Sequence, residues 1–135
     1  MNTTTQAAIA AYYAAFNAGD VPAFLDLLTD DVRHDINQSG TEIGREAFAA
    51  FLQEMNRCYK ETITDIVILT DESGTRAAAE FVVRGEYLQA QDGLPPARNQ
   101  TYTLPAGAFF TLRDGKICRI SNYYNLPAWL KQVSK

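Results

Sequence analysis

Apolar residues along this chain change their period once, near residue 60. Before that point they recur every three or four positions, the spacing of a helix with one buried face. Ile9, Tyr12, Tyr13 and Phe16 form the stripe of a first helix, which Gly19 should terminate. Asp20 then serves as a predicted N-cap, with Pro22 in the first turn and Phe24, Leu25, Leu27 and Leu28 as the buried side of a short second helix. "VRHDIN" reads as a short strand, and "GREAFAAFLQEMNRCY" as a third helix with Phe48, Phe51, Leu52, Met55 and Tyr59 on one stripe.

Beyond residue 60 the runs "ETITDIVILT", "TRAAAEFVVRGEYLQA", "QTYTLPAGAFFTLR" and "KICRISNYY" are β-branched or aromatic. They are separated by "DESG", "QDGLPPARN" and "RDG", the last being the strongest hairpin signal. Helices first and a meander second predict an α+β domain. Its expected form is a cone-shaped curved antiparallel sheet wrapped around three N-terminal helices, enclosing an apolar pocket. No repeat or linker divides the chain, so residues 1–135 form one domain.

Alternation along the strands sorts side chains between the faces. Ala79, Phe81, Val83 and Gly85 share one phase, as do Tyr102, Leu104, Ala106, Ala108, Phe110 and Leu112, and Ile120, Asn122 and Tyr124. These should face the helices, while Glu80, Arg84 and Glu86 face outward. The expected pocket lining is Phe16, Met55, Phe81, Val83, Tyr102, Phe110 and Tyr124, with Tyr12, Asn122 and part of "RHDIN" as its polar groups. That is the makeup of a site for a small hydrophobic ligand.

Composition removes several alternatives. Twelve basic against 16 acidic residues give a net charge of -4, with the acids scattered, which argues against nucleic acid or an anionic membrane as partner. No basic residue precedes Arg33 and the N-terminal apolar run is short, so neither a signal peptide nor a membrane span is expected. Cys58 and Cys118 fall in no CxxC spacing, consistent with a reduced, cytoplasmic protein.

One histidine is too few for most catalytic zinc sites, and phosphate- or dinucleotide-binding glycine motifs and GxSxG are absent, so no metal or cofactor is expected. What remains is proton transfer, which needs an imidazole or carboxylate base in a dry pocket and a donor for the oxygen that gains charge. His34 or Asp35 could be that base, with Tyr12 as the donor and Asn37 close by. Regular alternation from Val32 would present His34 and Ile36 inward, whereas a bulge would turn Asp35 in.

"YYAAFNAGD" followed by "FLDLLTDDV" resembles the start of the nuclear transport factor 2-like superfamily, in particular its steroid delta-isomerases and SnoaL-like polyketide cyclases. "HDINQSGTEIGREAF", "MNRCY", "AAAEFVVRGEY", "GLPPAR", "LPAGAFF" and "NYYNL" are most similar to ketosteroid isomerase-related proteins. In true ketosteroid isomerases an aspartate moves the proton while a tyrosine and a protonated aspartate stabilise the oxygen. The resemblance puts that tyrosine at Tyr12. It puts the base at Ile36 without a gap, or at Asp35 if the strand is one residue shorter. The second donor falls on Ala108, for which Asn122 is the expected substitute. The implied function is a cofactor-free isomerase or cyclase acting by proton transfer on a small hydrophobic carbonyl compound. The alternative is a non-catalytic ligand-binding or dimerisation module. The resemblance also implies a homodimer through the outer sheet face, where Phe109 and Thr111 lie.

Overall fold

In the computed structural model, which describes residues 3–37 and 40–134, Gly19 ends the first helix, α1 (Thr3–Ala18), by taking φ +69°. Only a residue without Cβ enters that region freely, and the amides of Gly19 and Asp20 then turn back to the carbonyls of Phe16 and Ala15. The Asp20 side chain accepts from the amide of Ala23 at 3.1 Å and caps α2 (Val21–Asp26), with Pro22 in its first turn.

This second helix is shorter than the sequence suggested. Leu28 already belongs to β1 (Leu28–Ile36), because the Leu27 carbonyl accepts from the amide of Ile117, drawing the chain into the sheet. Next come β2 (Gly40–Ile43), α3 (Arg45–Cys58), β3 (Tyr59–Thr70), β4 (Arg76–Tyr87), β5 (Gln100–Arg113), β6 (Lys116–Tyr124) and α4 (Leu126–Val133). The last two strands have the bounds that their apolar runs predict.

The six strands form one curved, unclosed sheet in the order β2-β1-β6-β5-β4-β3. Strands β3 to β6 are an antiparallel meander, but β1 joins β6 in parallel, so the sheet is mixed. Two elements were not foreseen. β2 is fully exposed along its length and so carries no burial pattern. α4 is a fourth helix, capped by the Asn125 side chain, which accepts from the Ala128 amide at 2.9 Å. It docks on β5 through Gln132, whose amide group both accepts from and donates to the backbone of Thr103.

Inward side chains of the sheet meet α1, α2 and α3 in an aromatic core. Tyr12 packs against Tyr13, Phe24 and Phe110, Phe24 against Phe48, and Tyr13 against Phe81, with ring centroids 4.5–5.5 Å apart. Burial of each such ring stabilises the fold by roughly 1.5–3 kcal/mol. These rings occupy the space expected as a pocket. The interstice lined by Phe16, Phe24, Leu52 and Asn56 amounts to about 20 Å³. A larger hollow, about 490 Å³, lies on the exposed side of α3.

Candidate functional site

Alternation in β1 decides which residue of "RHDIN" meets the core. The strand is irregular against β6 between Leu28 and Arg33, but from Arg33 the pairing runs unbroken, Arg33 to Arg119, His34 to Ile120 and Asp35 to Ser121. Val32 and His34 therefore point inward and are 0% and 2% exposed, and Asp35 points to the outer face. Of the two alternatives the sequence left open, regular alternation holds at that position, and no bulge turns Asp35 inward.

On the outer face Asp35 is saturated with donors. Arg33 Nε and Thr41 Oγ1 each donate to its Oδ1 at 2.8 Å, the Ser121 hydroxyl donates to Oδ2, and Arg119 Nε lies 3.4 Å from Oδ2. Burial alone would raise its carboxyl, but the bonds from Ser121, Arg33 and Thr41 outweigh it and hold the group well below the usual carboxylate range. The structure thus places this carboxylate, offered by the sequence as one of two candidate bases, on the face away from the helices.

His34 has the opposite surroundings. Its ring stacks on Phe48 at 4.2 Å, and Phe51 meets it edge-on at 4.7 Å. Desolvation pushes its pKa down from 6.5 to about 4, against a small upward pull from Asp35. The imidazole is thus neutral at pH 7. Among the described residues its buried Nδ1 has no partner, while Nε2 lies 3.4 Å from Asn122 Nδ2. When Asn122 donates, Nε2 holds the lone pair and Nδ1 the proton. An unpartnered buried donor costs about 1–3 kcal/mol, the kind of local expense found where a group is kept for chemistry.

The remaining candidates fall into two groups. Tyr12, Phe81, Val83, Tyr102 and Phe110 are buried inward residues. Tyr12's phenol is raised by burial and stays protonated, and its hydroxyl makes no hydrogen bond among the described residues. Phe16, Met55, Asn37 and Asn122 are half-buried and Tyr124 is exposed. The Asn37 side chain accepts from the Tyr124 amide at 3.3 Å. Glu61, Ala106, Asn122 and Tyr124 are inward residues of the sheet that keep solvent contact toward one end of it, and Phe51 and Met55 of α3 are half-buried.

Glu61 was missed in the sequence, where it reads as one polar residue of an alternating strand. It sits opposite Gly85, which sits opposite Tyr102. The Tyr102 ring lies across Gly85, and its hydroxyl donates to Glu61 Oε2 at 2.5 Å. A Cβ at position 85 would stand 2.3 Å from Tyr102 Cζ. Gly85→Ala should therefore cost about 1–3 kcal/mol in urea unfolding. Combined with Tyr102→Ala it should cost less than the sum of the two, because the clash vanishes with the ring. Additive costs would contradict this contact.

Near the same end, Tyr59 donates to Gln91 at 2.6 Å and Tyr87 to the Pro95 carbonyl at 2.7 Å, so the 91–99 loop is fastened to the sheet. Among the described residues no group of three or more His, Cys, Asp or Glu could hold a metal, and no helix is long and apolar enough to cross a membrane. Cys58 and Cys118 are free.

Residues 9–120 match the family model of the SnoaL-like domain. A crystal structure from Pseudomonas putida KT2440, described as a candidate polyketide cyclase, shares 59% identity over 93% of this chain and 95% of that one, with a TM-score of 0.92. Another so described, from Xanthomonas campestris pv. campestris, shares 53% identity over 97% of each chain, with a TM-score of 0.95. An LEH-like epoxide hydrolase of M. tuberculosis is similar in fold alone, at 17% identity over 98% of this chain and 90% of that one and a TM-score of 0.78. None of the curated proteins matches.

Proposed function

This chain belongs to the SnoaL-like domain family of the nuclear transport factor 2-like superfamily, and from that premise we propose that it is a cyclase or isomerase that enolises a small hydrophobic carbonyl compound without a cofactor. The observation that carries the reading is the neutral, desolvated His34 with Asn122 beside its Nε2. As substrate enters, the Asn122 amide turns from Nε2 to the oxygen that gains the charge, and the freed Nε2 lone pair removes a proton from the carbon next to the carbonyl. The two atoms are 3.4 Å apart, a spacing that suits a C–H and its neighbouring C=O.

A base of this strength is adequate for the task. Ketosteroid isomerases enolise with a carboxylate of pKa about 4.6, and His34 is at about 4. Phe51, which covers the imidazole edge-on, is only half-buried, and we place the substrate in a cleft between it and the solvent-contacting inward residues of the sheet, reached when that side chain rotates. The enolate then either attacks a second carbonyl in the same molecule, closing a ring as the new alkoxide takes the proton from His34, or takes that proton back at another carbon. Ring closure is favoured by the relatives above 50% identity that are described as candidate polyketide cyclases.

The direct test is methyl exchange of 2-acetylnaphthalene in D₂O, followed by proton NMR. Loss of the methyl signal at a rate proportional to protein concentration is expected. A rate equal to buffer would remove the enolisation reading.

Self-association through the outer sheet face is part of the same proposal. One row across that face runs Leu69, Ala78, Phe109 and Ser121, and the next contains Val67 and Tyr123. Leu69, Phe109 and Tyr123 are 65%, 50% and 55% exposed, and Phe109 and Tyr123 pack edge to face at 5.6 Å. An apolar band of this kind on a convex sheet fits a second copy of itself. Sedimentation at micromolar concentration should give a dimer, and Phe109→Glu a monomer. A wild-type monomer would refute it.

A further inference from the structure

We propose that Glu61 is a second pole of the cleft, binding a hydroxyl group at the end of the ligand remote from His34, so that the preferred substrates are hydroxylated carbonyl compounds. This inference rests on the cleft being the site of the carbonyl compound proposed above.

Its carboxyl group is set apart from the chain's other paired acids. Asp30, Asp31, Asp35, Glu54 and Asp65 each lie within 4.0 Å of an arginine nitrogen, and Glu61 lies that close to none among the described residues. Its Oε2 is taken by Tyr102, and its Oε1 has no hydrogen-bond partner among the described residues. The residue is half-buried, and Oε1 is not among the fully buried unpartnered atoms, so it keeps some contact with solvent. A carboxyl group drawn into an apolar cleft with one oxygen bare is costly, and the cost is recovered when a donor binds there.

The local geometry selects the kind of donor. Gly85 leaves room for the Tyr102 ring to cross its strand, and the phenol that reaches Glu61 is itself a hydroxyl on an apolar body. Burial raises Glu61, opposed by that bond, which disfavours the free charge and suits a neutral hydroxyl better than a strongly hydrated ion. Tyr124 connects the two poles. It lies two residues beyond Asn122 on the same face of β6, roughly 7 Å along the strand. It is also near enough to Glu61 for the carboxylate charge to raise its phenol.

The test compares 6-acetyl-2-naphthol with 2-acetylnaphthalene, which differ only in the hydroxyl remote from the carbonyl, by fluorescence titration of the whole chain. Wild type should bind the naphthol about tenfold more tightly, the lower range for a hydrogen bond to a charged group. Glu61→Leu should abolish the difference, and the isosteric Glu61→Gln, which keeps the fold if leucine does not, should shrink it to about threefold. Equal binding by wild type, or a preference unchanged in both variants, overturns the inference and leaves the enolisation reading standing. Failure of both probes to bind overturns both. A preference that depends on Glu61 upholds the inference even where methyl exchange is absent.

Discussion

His34→Gln should lower the rate of methyl exchange by about 10²–10⁴-fold, the usual contribution of a positioned general base, while Asp35→Asn leaves it within about threefold. The contrast between neighbours in sequence is the informative part. His34 is inward, neutral at pH 7 and holds its Nε2 beside a donor, whereas every oxygen of Asp35 is already engaged on the outer face. Asn122→Leu should fall between them, because it removes the donor to the developing oxyanion but leaves the base. Equal losses in His34→Gln and Asp35→Asn would mean that the strand acts through its stability and that neither side chain does the chemistry. Retention of exchange in His34→Gln would send the search for the base to the inward carboxyl group of Glu61.

The sequence displayed most of the architecture because the signals were local and repeated. Gly19, Asp20 and Pro22 mark a helix end and a helix start within four residues, and β5 alternates over a long run. What escaped was short or depended on distant partners. β2 is held by its pairing with β1 and its contact with α3, and α4 by contact with β5, although Asn125, Pro127 and the Trp129–Val133 spacing were signals available for the latter. In the site, the face of Asp35 turned on whether β1 bulges, a matter of register with β6 that no local residue encodes. The aromatic filling of the cone depends on how helices and sheet approach, and alternation gives orientation without distance. Glu61 was illegible for the same reason. Its partner Tyr102 is 41 residues away, and Gly85 acquires meaning only when three strands are in register.

Wild-type stability should fall by about 3 kcal/mol relative to His34→Phe as the pH is lowered from 7 to 4. The folded chain holds the imidazole at about 4 against an ordinary 6.5, because its charged form would lose water and gain no partner beside Phe48 and Phe51. Between those two values the unfolded chain takes up a proton that the folded chain refuses. Stability from this group is therefore complete above 6.5 and declines as pH falls toward 4, by about 1.4 kcal/mol per pH unit. Glu61 runs the other way, since burial raises its carboxyl and protonation favours the fold, while Asp35, held well below the usual range, titrates beneath this window. Taking the difference between wild type and His34→Phe cancels both, and phenylalanine keeps a ring in the stack. Urea unfolding of the two proteins at pH 7 and pH 4 measures it. Parallel pH dependences would show that the imidazole is not kept neutral by the fold, and would remove the basis for its role as a base. Converging ones should be matched by an acid limb in kcat/KM with a midpoint near 4 instead of 6.5, because protonation that destabilises the fold also takes the lone pair the reaction needs.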